Sequence, residues 1–274
     1  MNEYSFLLAP FAMCVLLVGI HCYLGLHVLA RGVIFVDLSL AQVATLGTAV
    51  GLLFELEHSS TAGYALSLGF TLVAALLFAW GRRFEHVFSQ EAIIGIVFAL
   101  ATAMVILVVD RTAHGAEHIK ESLIGHILWV SWNDVIRTAV LYAVVGVVHY
   151  LLRGPLIASS FSPQENARGL WWDFIFYALF GFVITSSVSV AGVLLVFSFL
   201  IVPAIVSTMF VESLRARLFF GWALGVSLSA LGLFLSFKWD VPAGALLVSI
   251  FAIVPIVLLV AAPLARLGRS HPRT

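Results

Sequence analysis

Apolar residues run along almost the whole chain in blocks long enough to cross a bilayer, with short polar breaks between them. The blocks fall at about 6–29, 33–54, 61–80, 92–109, 135–152, 173–189, 191–210, 216–237 and 242–261. A membrane-crossing helix needs roughly 20 such residues, so the pattern predicts an all-α, polytopic membrane helix bundle. The sixth and seventh blocks are barely separated, around Ser189–Gly192. They are either two spans joined by a tight turn or one broken segment that re-enters, hence nine transmembrane helices or eight. The chain is organised around Val188–Phe210, which is apolar yet contains Gly192 and Pro203. In lipid, backbone groups freed by a proline must find partners among neighbouring helices, hydroxyls or water. Gly192 and Pro203 are therefore expected inside the bundle, next to a cavity or a moving part; a plain proline-kinked packing helix is the simpler alternative.

Composition sharpens this picture. Of 274 residues, 62% are hydrophobic and only 10% charged, against about 25% charged in soluble domains. The formal net charge of zero excludes a strongly basic nucleic-acid binder. No linker divides the chain, so 1–274 is read as one transmembrane domain. The first block lacks a basic lead-in and is read as a retained helix, not a leader. Cys14 and Cys22 sit about 12 Å apart along one helix, too far for a disulfide. With nine helices and the N-terminus outside, ten of the fourteen basic residues fall inside, as the positive-inside rule requires. The outer segments instead carry Glu55, Glu57, Asp110, Glu117, Glu121, Asp134 and Asp240.

Asp37, near the start of the second span, is the first candidate for chemistry, because a charge at membrane depth is costly and functional by default. It is either a pathway residue or an interfacial partner of Arg31. Gln42 lies about 140° from it around the helix, so the two do not easily grip one ion. The outer segment 110–134 holds Asp110, His114, Glu117, His118 and Glu121 at helical spacing. His114 and His118 at i, i+4, with Glu117 or Glu121 adding oxygen, suit zinc, manganese or iron; a solvated polar loop is the alternative. His21, His27, His126 and His149 lie in or near apolar blocks, and His21 with Cys22 or His27 is a further soft-metal pairing, set against ordinary packing histidines. On the inner side, Ser162-Pro163-Gln164-Glu165 has the makings of a short capped helix that Gly169 ends. It is a docking element for a partner or an ordinary loop helix. There is no GxxxxGK[ST] loop, and the only lysines are Lys120 and Lys238, so ATP-derived energy must come from another chain. HExxH and GxSxG are absent too, which leaves a membrane protease or esterase without motif support.

Five segments, in order from about residue 25 to 250, resemble the membrane permeases of ABC transporters for zinc and manganese, the zinc/manganese/iron permease family. They are LHVLARGVIFVDLSLAQVATLG, SQEAIIGIVFAL, SLIGHILWVSWNDV, AGVLLVFSFLIVPAIVSTMF and LGLFLSFKWDVPAGALLV. The resemblance implies a multi-pass permease in the cytoplasmic (inner) membrane that is not itself an enzyme. It implies a homodimer, a cytoplasmic ATP-binding subunit, and an extracytoplasmic metal-binding protein that delivers the cargo. It casts about 159–170 as the coupling segment, with Gln164, Glu165, Ala167 and Gly169 against the ATPase. Asp37 falls on the family's motif Asp. The motif His is missing: Ala41 or Gln42 stands there, depending on the alignment, which leaves a weaker, harder oxygen site. The expected activity is ATP-driven movement of a divalent transition metal, Zn²⁺ or Mn²⁺ or else Fe²⁺, in the import direction, with no permanently bound cofactor. Rivals are an ion-coupled secondary transporter and a membrane metalloenzyme or scaffold.

Overall fold

The computed structural model describes residues 5–56, 60–111, 120, 122–161 and 169–267. Ten helices are used below: α1 (Leu8–Arg31), α2 (Val36–Leu53), α3 (Thr61–Gly81), α4 (Gln90–Val109), α5 (Trp132–Leu151), α6 (Arg153–Phe161), α7 (Leu170–Ala191), α8 (Val193–Phe210), α9 (Leu214–Trp239) and α10 (Ala243–Leu267). All but α6 are long and apolar enough to cross a membrane, which makes nine candidate spans among the described residues. No strand occurs among them.

Local chemistry sets where the helices begin and end. Ser60, Ser89, Ser131 and Ser213 are N-caps, accepting from the backbone N–H groups of Gly63, Ala92, Asp134 and Ala216. Each satisfies one of the donors that a helix start leaves open. Asp134 returns the contact to the Ser131 N–H at 3.0 Å, completing a capping box. Gly32, at φ 69°, closes α1 in the left-handed conformation.

The spans differ in how much of each is covered. In α8, 67% of the apolar window is buried, and in α1 and α2, 61%; in α4 and α10 the figure is 22%. So α1, α2, α7 and α8 form the centre, while α4, α5, α9 and α10 offer most of their surface to lipid. The expectation that 188–210 organises the bundle agrees with this burial. α8 packs against α1, α9, α10, α7 and α2. Two glycines let the backbones approach. A Cβ on Gly25 of α1 would overlap the Leu200 carbonyl of α8, and one on Gly221 of α9 would strike Cys22. Both cysteines are buried and free. Pro203 does not break α8, which continues to Phe210.

The ambiguity at Ser189–Gly192 resolves as two spans. Gly192 (φ 77°, ψ 160°) ends α7 and caps α8, a conformation essentially restricted to glycine. The segment 122–126 lies across this corner. The His126 N–H donates to the Val190 carbonyl at 3.1 Å, and Gly125, at φ 66°, meets Ala191 and Gly192 so closely that a Cβ on it would overlap their backbone.

Hydroxyls inside the bundle fold back on their own helices. Thr45, Thr71, Ser187 and Ser229 each donate to the carbonyl four residues earlier. That satisfies the hydroxyl without water, as a lipid environment demands.

Candidate functional site

Asp37 occupies the first turn of α2 and is fully buried. Neither carboxylate oxygen has a hydrogen-bond partner, and the nearby Ser39 hydroxyl has none. The α2 N-terminus, with its partial positive charge, favours an anion there. α2 packs against α3, α4, α7 and α8, so the carboxylate sits at the N-terminal end of a central helix. Gln42, one turn further on, is also buried. Glu91 enters the same region from the first turn of α4: one oxygen accepts from the Phe35 N–H at 3.1 Å, at the N-cap of α2, and the other is buried without a partner.

The expected alternative, an Asp37–Arg31 ion pair, is not what the structure contains. Arg31 turns away to Asp173 in α7, with an Nη1–Oδ1 distance of 2.8 Å. The Gly32 turn reverses the chain between α1 and α2, and Arg31 continues the line of α1 towards α6 and α7. Its Nε and Nη2 donate to Ser160 at 2.9 Å and Ser159 at 2.6 Å. Its guanidinium lies 4.0 Å from the Phe176 ring centroid. Arg82, just past α3, donates to the same Asp173 oxygen. The C-terminal ends of α1 and α3, the helix α6 and the start of α7 are thus tied through one carboxylate. Sequence reading missed this hub. The available signal was a lone Asp at the inner start of a span, opposite arginines ending two others.

The buried histidines follow from the same accounting. The Ser160 hydroxyl donates its one hydrogen to the Leu156 carbonyl at 3.0 Å. It therefore accepts from both Arg31 and His27 Nδ1–H, the latter at 2.8 Å. His21 and His149 direct Nδ1–H to the carbonyls of Leu17 and Val145. Each ring then presents an Nε2 lone pair with no partner. No three His, Cys, Asp or Glu side chains converge as a metal site among the described residues. The paired-ligand expectation for His21 with Cys22 or His27 has no such cluster behind it.

Other expected site residues fall differently. His114, His118 and Glu121 lie outside the described residues, as do Gln164, Glu165 and Ala167. Gly169 is described and is the N-cap of α7; the short helix it was expected to end lies outside the described residues. Gly192 and Pro203 are both in or beside the central helix α8, and Pro203 is buried. Asp134, an expected outer acidic residue, completes the capping box of α5 with Ser131.

Comparison with known proteins gives this arrangement a context. The sequence pattern of the ABC 3 transport family matches residues 3–262. The manganese transport system membrane protein MntB of Synechocystis sp. is 26% identical over 211 residues, 73% of this chain and 68% of that one. The manganese import system permease protein ScaB of Streptococcus gordonii is 25% identical over 248 residues, 88% and 86% of the two chains. A probable iron transport system membrane protein of Haemophilus influenzae is 20% identical over 265 residues, 95% and 92%. Among solved structures, PsaBC from Streptococcus pneumoniae in complex with Fab superposes with a TM-score of 0.75 at 20% identity, covering 93% of this chain and 91% of that one. With nine apolar helices and a family match spanning nearly its whole length, this multi-pass protein of the cell membrane belongs to the ABC 3 transport family.

Proposed function

We propose that the chain is the permease subunit of an ATP-driven importer for a divalent transition metal, with manganese or iron the favoured cargo and zinc the less favoured one. The observation that carries this reading is Asp37, a fully buried carboxylate without a hydrogen-bond partner at the start of a central helix. An ionised carboxylate in such a place costs several kcal/mol unless a cation neutralises it. Oxygen donors from Asp37 and Gln42, in place of carboxylate plus imidazole, suit a harder cation better than zinc. The names of the manganese and iron relatives point the same way.

In this reading the energy comes from a separate cytoplasmic ATP-binding subunit, and an extracytoplasmic metal-binding protein delivers the ion to a homodimer of permeases. The segment about 159–170, with Gln164, Glu165, Ala167 and Gly169, bears on the ATPase. The region of His114, His118 and Glu121 lies at the outer mouth, where acidic side chains concentrate a dication. Gly192 and Pro203 belong to the helix that lines the route. Membership in an ABC transport family favours this over a secondary carrier or a membrane metalloenzyme.

The test is metal uptake into vesicles holding the chain and its ATP-binding partner, comparing Mn²⁺, Fe²⁺ and Zn²⁺. ATP-dependent uptake of manganese or iron that Asp37→Asn abolishes is the expected result. Uptake unchanged by that substitution removes Asp37 from the route.

A further inference from the structure

A cavity of about 540 Å³ lies at the inner end of the bundle, in a part of the molecule that Asp37 does not use. Its floor is α1, which contributes Tyr23 and Leu26; its sides are the end of α5 with α6 and the start of α9. α1 packs against both α5 and α9, and the two flanking helices, both lipid-facing, leave the gap between them. The polar lining is Tyr23, Tyr150, Arg153 and Arg215. The rest is aliphatic, with Leu26 on the floor and Ile157, Leu214 and Leu218 on the sides.

The charge in this groove is one-sided. Arg31 and Arg82 share Asp173, but neither Arg153 nor Arg215 forms an ion pair among the described residues. Glu212, three positions before Arg215, is not within ion-pair distance. Arg153 instead holds its guanidinium 4.3 Å from the Tyr150 ring centroid. The site is also braced. The Tyr23 ring packs edge-on against His27 and His149, at centroid distances of 4.8 and 5.6 Å.

We infer that this groove binds an anionic phospholipid of the inner leaflet. Two arginines and two tyrosine hydroxyls at headgroup depth meet the phosphate, and the aliphatic walls running along α1 and α9 receive acyl chain. Basic pockets between helices on the cytoplasmic side have this chemistry. Arginine offers phosphate a paired-donor geometry, and tyrosine suits the interface, with an apolar ring and a polar tip.

The experiment is native mass spectrometry of the full chain, purified from vesicles of equal phosphatidylglycerol and phosphatidylcholine with matched acyl chains. The expected result is selective retention of phosphatidylglycerol. Arg153→Gln with Arg215→Gln lowers that retention about thirtyfold, from roughly 1 kcal/mol per basic residue at the surface, and leaves phosphatidylcholine unchanged. Leu218→Trp, which fills the aliphatic wall and keeps both charges, lowers it as well and covers the case in which the double variant does not fold. Excess inorganic phosphate leaves the lipid in place. Equal retention of the two lipids overturns the inference, as does an equal loss on Arg83→Gln, a basic residue outside the groove. Displacement of the lipid by the purified ATP-binding partner also overturns it, and makes the groove a protein docking surface.

Discussion

Asp37 combines two properties that rarely coexist: it has no exposure and no hydrogen-bond donor. Its presence in an apolar block is legible from the sequence, since a single acid stands out among aliphatic neighbours. Its partner is not. Arg31, six positions earlier, is the obvious choice on spacing, yet it bonds to Asp173, 142 positions away. If Asp37 is a cargo ligand, Asp37→Asn weakens metal binding by about 3 kcal/mol, roughly a hundredfold, the scale of a lost charged contact. The same substitution removes an uncompensated buried charge, so metal-free thermal stability stays equal or rises. Isothermal titration and melting in detergent check the two halves separately. Gln42→His returns an imidazole to the family's motif region and is expected to shift preference from manganese towards zinc, by about tenfold in relative affinity; competition binding reads this directly.

At the scale of elements, two devices hold the bundle in its arrangement. One is the hub in which Asp173 of α7 receives Arg31 from the end of α1, Arg82 from the end of α3 and Ser159 from α6. Removing one member of a buried ion pair leaves a charge without compensation, which costs about 3–5 kcal/mol. Asp173→Asn is therefore expected to lower stability by that order in denaturant unfolding, and more than Arg82→Gln, because Arg82 is the more exposed of the two arginines. The other device is the Gly192 corner between α7 and α8. Its backbone conformation excludes a Cβ, and the space beside it is filled by the backbone of 124–125. Gly192→Ala is expected to cost at least about 1–3 kcal/mol in strain and to loosen the crossing segment 122–126, seen as faster amide exchange at His126. The sequence marked Gly192 as a break in an apolar run. The crossing was not visible, because Ile124–Gly125 and Ala191–Gly192 are far apart in the chain and meet only through close backbone approach.

The whole molecule presents a sidedness that the polar segments predict and the ion pairs respect. Arg31, Arg82 and Asp173 lie at the ends of three different spans and meet, so those ends share one side of the membrane. A cysteine in place of Arg83, exposed at that side, is expected to react with a membrane-impermeant maleimide only from the cytoplasm. One in place of Arg111, exposed at the opposite end of α4, is expected to react only from outside. The native Cys14 and Cys22 are fully buried and should stay silent. The opposite labelling pattern reverses the orientation.

By itself the sequence determined the number of spans to within one, the all-helical class, the acid at Asp37 and the family resemblance, and it predicts the sidedness. Each follows from composition or from order along the chain, because bilayer thickness and the cost of burying charge act on local segments. The tertiary structure decided which arginine meets which acid, which four helices form the centre, that residues 170–210 are two spans meeting at a glycine, and where a basic groove opens between α5 and α9. These depend on side chains that converge from distant segments. Where most residues are aliphatic, periodicity separates lipid-facing from buried positions only weakly, and packing supplies the distinction.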